Sequence, residues 1–217
     1  MLYIVATPIG NLEDITARAV RTLKEVDIIA AEDTRKSGIL LKHYEIQTPM
    51  ISFHSYSDQH KIDQLVEKLV AGQSVALISD AGTPGISDPG FLLIRAARQK
   101  GIKICPIPGP SAFLTALSAS GLPINHFVYL GFLPMKKGRQ TMLKQLQNEE
   151  RTIVFYESPH RLLKTLKEFT EYFPTRQLVI ARELTKIYEE FLEGSAAELY
   201  DHFNKKAPKG EFVIIMK

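Results

Sequence analysis

The residues with most chemistry to offer stand in short mixed runs of Gly, Pro, Ser and acids, each placed where an apolar stretch ends. Asp80-Ala81-Gly82-Thr83-Pro84-Gly85 follows the apolar Ser74 to Ser79. Small residues there let backbone amides approach a ligand, and the Asp80 carboxylate can accept from a hydroxyl or an amine. A solvent-side turn leading into a helix cap would use the same residues. Pro108-Gly109-Pro110-Ser111-Ala112 repeats the arrangement after the next apolar stretch. Its small side chains allow an adenine or a ribose to lie against the backbone, with a rigid turn as the alternative. Ala31-Glu32-Asp33-Thr34-Arg35-Lys36 sets two carboxylates before an Arg-Lys pair. That order suits a base or a phosphate clamp, and equally a solvated ion-pair cluster. Phe53-His54-Ser55-Tyr56 offers aromatic platforms and Lys136-Lys137-Gly138-Arg139 a basic loop, the two elements that hold unpaired bases and phosphates. Phe155-Tyr156-Glu157-Ser158-Pro159-His160-Arg161 joins a strand end, an acid and a helix start.

Several familiar chemistries do not fit. Gly85 and Gly90 have the gap of a Walker loop, but Phe91-Leu92 stands where Lys and Ser/Thr are required, and no Gly-x-Gly-x-x-Gly follows a strand. ATP hydrolysis and a Rossmann-type NAD site are therefore not expected. The six histidines lack metalloprotease spacing, and a single cysteine cannot build a structural zinc site, so no catalytic metal is expected either. Gly85-Ile86-Ser87-Asp88-Pro89 lacks the second glycine of a nucleophile elbow.

These runs need a frame to position them, and the sequence supplies strands and helices in alternation. Leu2 to Ala6 reads as a buried strand ending in Thr7-Pro8-Ile9-Gly10-Asn11. Ile15, Ala19, Leu23 and Val26 then share one helical face, and Val26 to Ala31 reads as a second strand. Ile62, Leu65, Val66 and Leu69 form a further helical face closed by Gly72, before the strand Ser74 to Ser79. Asp88 and Pro89 read as cap and first turn of a helix running to Lys100, followed by a strand Lys103 to Ile107. Alternation of this kind predicts a parallel sheet with helices on its faces and ligands at the carboxyl ends of its strands. Gly121, Pro123, Gly131 and Pro134 interrupt the pattern, which places a domain boundary near 118 to 124, giving domains 1–118 and 119–217. The second half restarts with a strand Arg151 to Tyr156, a helix capped by Ser158-Pro159, a strand Gln177 to Ala181, a capping box Ser195 to Glu198 and a closing strand Glu211 to Met216.

Composition narrows the class without naming a partner. The chain has 217 residues, 45% hydrophobic and 24% charged, the profile of a globular protein. Its net charge of +3 is too small to argue for nucleic acid by itself. Gly and Pro number 13 and 12, an ordinary total, yet ten of them fall between Asp80 and Pro110. No apolar run reaches the roughly 20 residues of a membrane helix. Cys105 reads as a core cysteine, and the absence of a pairing partner and of a leader pattern after Met1 points to a reducing cytoplasm.

Taken together, Thr7 to Ile15, Ala31 to Arg35, Ser79 to Gly90, Pro108 to Ala112, Phe155 to Arg161 and Ala181-Arg182-Glu183-Leu184-Thr185-Lys186 resemble the RNA-modifying branch of the tetrapyrrole (corrin/porphyrin) methylase superfamily. The likeness runs in order along nearly the whole chain. It implies two α/β domains of the tetrapyrrole methylase type with a cofactor cleft between them, S-adenosyl-L-methionine as cofactor, and a homodimer. The implied reaction is 2′-O-ribose methylation of a cytidine in the decoding region of 16S ribosomal RNA, within the small ribosomal subunit. The tetrapyrrole branch usually carries Gly-Asp-Pro where this chain has Ser79-Asp80-Ala81, which favours RNA over a porphyrinoid. By position the resemblance assigns cofactor contacts to Ile9, Asp80, Thr83, Ser111 and Ala112, and in the second half to Glu157, Ser158, Pro159, Gly210 and Glu211. Relatives often continue into a C-terminal helical segment beyond the point equivalent to Lys217. A ribose hydroxyl must lose its proton to attack, so Glu32, Asp33 and Arg35 are the catalytic candidates as base or polarising cation. Two other readings stay open: the same fold methylating a small tetrapyrrole or a protein side chain, and a non-catalytic nucleotide-binding module associated with the ribosome.

Overall fold

The computed structural model describes residues 1–53, 59–87 and 90–217, and the chain divides into two compact units, Met1–Ser111 and Ala112–Lys217. In the first unit, strands β1 (Leu2–Val5), β2 (Ile28–Ala31), β3 (Met50–Ser52), β4 (Val75–Ile78) and β5 (Ile104–Ile107) form one sheet in the order β3-β2-β4-β1-β5. Every pairing in it is parallel. Four helices connect the strands: α1 (Ala17–Glu25), α2 (Thr34–His43), α3 (Gln59–Val70) and α4 (Gly90–Gln99).

The two-residue period of the strands decides which helix packs where. Leu2, Ile4, Ile28, Ala30, Val75 and Leu77 point to one face and bury Ile62, Leu65, Val66 and Leu69 of α3 with Leu93 and Ala97 of α4. Val5, Ile29, Ala31, Ala76, Ile78 and Ile107 point to the other, against Ala19 and Leu23 of α1 and Leu40 and Leu41 of α2. Both sheet faces are covered, which is why these strands read as unbroken apolar runs. Pro106 lies in β5, an edge strand, where a missing N–H costs no ladder bond on the open side. Phe53 belongs to the core and is no aromatic platform; His54 and Tyr56, its expected companions, and the Asp88-Pro89 cap lie outside the described residues. Cys105 is only half-buried, on the edge strand with the Arg18 guanidinium 3.4 Å from its sulfur, and so stands at the margin of the core.

The second unit opens with α5 (Ala112–Ala119) and continues through β6 (Phe127–Phe132), α6 (Arg139–Leu146), β7 (Thr152–Glu157), α7 (Pro159–Tyr172), β8 (Leu178–Arg182), β9 (Glu190–Gly194), α8 (Ala196–Asn204) and β10 (Phe212–Met216). The sequence placed α5 before the boundary. In the structure it packs on β7 and β10 of the second sheet. That sheet has the order β6-β7-β10-β8-β9, and only β6 and β7 run parallel; β10 is antiparallel to both β7 and β8, and β9 to β8. Strand β9 returns directly from β8 through a short turn, and β10 enters the sheet in reverse between β7 and β8. One face carries the core of Ile153, Phe155, Ile180, Ile214 and Met216 against Leu162, Leu166 and Phe169 of α7 and Leu199 and Phe203 of α8. Ser158 caps α7 with Pro159 at its start, and Ser195 with Glu198 forms the capping box of α8, both as the sequence predicts. Among the described residues no helix is long and apolar enough to cross a membrane.

Candidate functional site

In the first unit, strand β4 lies between β2 and β1. Its loop leads to α4 on one face of the sheet, while the loops after β1 and β2 lead to α1 and α2 on the other. Loops that part in opposite directions leave a crevice at the carboxyl ends of the strands, the place where open α/β sheets bind ligands. The loops carrying the sequence candidates meet there.

Thr7 and Gly82 join the β1 and β4 loops through a reciprocal pair of backbone bonds, Thr7 N–H to the Gly82 carbonyl at 2.9 Å and Gly82 N–H to the Thr7 carbonyl at 3.0 Å. The buried Thr7 hydroxyl adds a bond to the Ser79 carbonyl at 3.1 Å. Ile9 is buried beneath this crossing, its Cγ2 3.5 Å from where a Cβ on residue 82 would stand. Thr83 donates its hydroxyl to the Pro110 carbonyl at 3.1 Å, tying the β4 loop to the loop after β5. A Cβ on Gly109 would lie 2.9 Å from the Cβ of Ala6, so the β5 loop comes this close to the end of β1 only because residue 109 has no side chain. Ser111 is buried at the end of this loop, and Ala112 begins α5.

Asp80 is the junction of the charged groups. One carboxylate oxygen accepts the Asp33 N–H at 2.9 Å and the other faces Lys36 Nζ at 2.6 Å, while the Asp80 N–H approaches a Glu32 oxygen at 3.4 Å. The Asp80 carboxylate holds the Lys36 ammonium above its ordinary value. Sequence reasoning passed over Lys36 as one of a pair of cations; it lies one helical turn beyond Asp33 on α2, which was the available signal. Asp33 itself is the N-cap of α2, accepting the Arg35 N–H at 2.9 Å, and its carboxylate forms a two-pronged pair with the Arg35 guanidinium at 3.1 and 2.8 Å. That hydrogen-bonded guanidinium holds Asp33 well below the usual carboxylate range. Two of the three catalytic candidates are thus tied to each other at the helix start, with the Arg35 side chain 89% exposed.

The second-unit candidates stand at one end of the sheet, on neighbouring strands: Phe212, just after Gly210 and Glu211, pairs with Glu157 across β10 and β7. Glu157, at the end of β7, is buried, and its oxygens are occupied by Arg161 at 2.8 Å, Thr165 at 2.5 Å and the Ser158 N–H at 2.8 Å. Thr165 in turn accepts from Arg139 at 2.7 Å, and Arg139 also bonds Glu168 and the Pro134 carbonyl. The sequence offered Arg139 as part of a basic loop that could hold phosphates; the structure buries it, 5% exposed, where it fixes that loop to α7. Gly210, at φ +100°, packs where a Cβ would lie 2.6 Å from the Glu183 side chain. The Glu183 carboxylate accepts the Glu211 N–H at 2.9 Å and pairs with Lys186, which also reaches Glu211. Burial pushes Glu183 up, but the bonds from Lys186 and the Glu211 N–H outweigh it and hold the carboxyl below its ordinary value. Glu183 and Thr185 both have positive φ, 49° and 65°, so this turn is held in a conformation that a β-branched residue rarely adopts.

A doubly wound parallel sheet whose strand-end loops converge on the loop of one central strand, followed by a mixed-sheet unit, is the architecture of an α/β enzyme that takes its ligand at the strand ends. The model of the tetrapyrrole (corrin/porphyrin) methylases matches residues 1–200, and the chain belongs to that family. Over its whole length it is 50% identical to the ribosomal RNA small subunit methyltransferase I of Synechocystis sp., of which the match covers 78%. It is 47% identical, over 99% of this chain and 97% of the relative, to the protein of the same name from Thermotoga maritima. Among solved structures, the uroporphyrin-III C-methyltransferase of Thermus thermophilus complexed with S-adenosyl homocysteine shares the fold, with a TM-score of 0.66, 18% identity and coverage of 99% of this chain and 96% of the other.

Proposed function

We propose that the protein transfers a methyl group from S-adenosyl-L-methionine to the 2′-hydroxyl of a cytidine in the decoding region of 16S ribosomal RNA. The observation that carries this is the convergence of the β1, β2 and β5 loops on the β4 loop that carries Asp80, in a chain whose relatives bear the name of a small-subunit ribosomal RNA methyltransferase.

The donor and acceptor set of these loops suits the cofactor. Gly109 lets the β5 loop close onto the end of β1, and Asp80 and Lys36 offer an acceptor and a donor to a ligand with hydroxyl groups and a zwitterionic end. We assign cofactor contact to Ile9, Asp80, Thr83, Ser111 and Ala112. Ser158, Pro159, Gly210 and Glu211 are the proposed second-unit contacts, with the buried Glu157 holding its segment in place. S-adenosylmethionine supplies a methyl group already activated on a sulfonium. The protein's task is then alignment of the ribose oxygen, worth about 7–11 kcal/mol when two reactants are held correctly.

A base is still required for the ribose proton. Glu32 is assigned that role, because Arg35 makes Asp33 too weak a base and commits it to the helix cap. The Asp33–Arg35 pair is then the rim of the site, with Arg35 placed to meet an anionic backbone. The proposed setting is the cytoplasm, with the assembled small subunit as substrate and a homodimer as the working form.

Labelled S-adenosylmethionine, incubated with small ribosomal subunits from a strain lacking this activity, tests the reading. Label in a ribose-methylated cytidine supports it. Label only on a porphyrinoid or a protein would assign the same fold to another substrate, and cofactor binding without transfer would make the chain a non-catalytic module.

A further inference from the structure

The second unit contains a cavity of about 270 Å³ that the methyl-transfer site does not use, lined by Met135, Lys136, Gly138, Arg139, Thr141 and Lys164, with Glu168 on its wall. Its charge is one-sided. The Arg139 guanidinium and the Glu168 carboxylate cancel each other across 2.7 Å, so they add no net field. Lys136 and Lys164 form no ion pair among the described residues, and Lys137 adds a third cation to the same loop. Gly138 begins α6 without offering a side-chain acceptor to its first turn, so the helix end adds no negative group to the cavity.

The walls are also held in place. Arg139 bonds the Pro134 carbonyl, Glu168 and Thr165, and Arg161 bonds the Leu133 carbonyl at 2.8 Å. The loop is therefore fixed by the buried Arg139 and the partly exposed Arg161, while Lys136 and Lys164 are exposed. Met135, in the cavity lining, is 70% exposed, whereas Phe132 at the end of β6 packs its ring against Tyr156 on the sheet face opposite α7. A cavity whose uncancelled charges are all cationic is suited to a phosphate backbone.

From this juxtaposition we infer that the cavity is a backbone-phosphate site for single-stranded RNA, formed by Lys136 and Lys164 and positioned by Arg139. The inference rests on the RNA reading above and adds to it a site that anchors the substrate away from the reacting ribose. Arg139 is a positioning residue here.

The test compares the full-length protein with a Lys136→Ala, Lys164→Ala double variant, by fluorescence anisotropy on a single-stranded RNA carrying the decoding-region sequence at several salt concentrations. The expected result is binding weakened tenfold or more, with the slope of log affinity against log salt shallower by about 1.4, or about 0.7 for each phosphate no longer neutralised. Cofactor affinity and melting temperature should not change, and the Lys136→Arg, Lys164→Arg variant should recover both binding and slope. Wild-type affinity and slope in the alanine variant would overturn the inference. So would a loss of RNA binding that is accompanied by an equal loss of cofactor binding or of folding. A wild-type protein that methylates no RNA would instead overturn the functional reading, and a cavity that then binds an acidic peptide in a lysine-dependent way would be assigned to protein.

Discussion

Lys36 Nζ stands 2.6 Å from Oδ2 of Asp80, joining residues 44 apart in the chain. The pair links the helix after β2 to the loop after β4, and the Asp33 N–H, bonded to the other Asp80 oxygen, makes the link two-pronged. It lies at the carboxyl edge of the sheet, partly open to solvent, where an ion pair contributes only about 0–1 kcal/mol to folding. Its position points to ligand binding more than to stability.

Asp80→Asn tests that distinction. The amide keeps an oxygen for the Asp33 N–H but loses the charge that faces Lys36. The melting temperature should fall by less than about 4 °C, since 1 kcal/mol corresponds to roughly 2–4 °C in a chain of this size. Calorimetric affinity for S-adenosylmethionine should drop tenfold or more. A large loss of stability with unchanged affinity would make Asp80 a structural residue.

Gly109→Ala should act on the frame itself. The new methyl would meet the Ala6 Cβ at 2.9 Å, so the β5 loop or the end of β1 must move. Overpacking of this kind costs about 1–3 kcal/mol. Urea unfolding should show that loss together with weaker cofactor binding; a stability equal to wild type would mean that the loop yields freely.

Asp33 gives a pH signature. Its folded-state pKa is depressed by the Arg35 hydrogen bonds, so the stability it contributes is fully present above the unfolded value of about 3.9. That contribution is lost as the pH falls through the folded value. In Asp33→Asn the side chain still caps α2, so the difference in melting temperature from wild type should be largest near neutral pH and shrink below about pH 4. Methyl transfer between about pH 6 and 9 should keep its profile, as the proposal of Glu32 as base requires. A shift of that profile would return the catalytic role to Asp33.

The buried chain Glu157–Thr165–Arg139–Glu168 predicts a larger effect. Glu157→Ala leaves the Arg161 guanidinium without its carboxylate and Thr165 without its acceptor, and breaking a buried pair on one side costs about 3–5 kcal/mol. Equilibrium denaturation should report a loss of that size. A change below about 1 kcal/mol would show that water replaces the carboxylate without penalty.

What could be read in advance follows from the period of the sequence. Strands β1, β2 and β4 are apolar throughout because both faces of their sheet are covered, and the Gly and Pro residues gathered between Asp80 and Pro110 mark two loops that do meet, through Thr83 and the Pro110 carbonyl. Helix α2 escaped notice because its start, Thr34-Arg35-Lys36, is polar and its apolar residues, Leu40 and Leu41, come late. Strand β6 hid behind Gly131 and Pro134, and β9 behind the glutamates that suit its place at the sheet edge. Nothing local reveals that β10 enters its sheet in reverse. The pairing of Asp80 with Lys36, and of Glu157 with Thr165 and Thr165 with Arg139, is likewise set by the tertiary fold.

The most direct test is nucleoside mass spectrometry of 16S ribosomal RNA from a strain lacking this activity, complemented with the wild-type chain or with Asp80→Ala. The prediction is that 2′-O-methylcytidine in the decoding region returns with the wild type and stays absent or nearly so with the variant, while both proteins accumulate to equal levels. Full restoration by Asp80→Ala, or no restoration by a folded and cofactor-competent wild type, would contradict it.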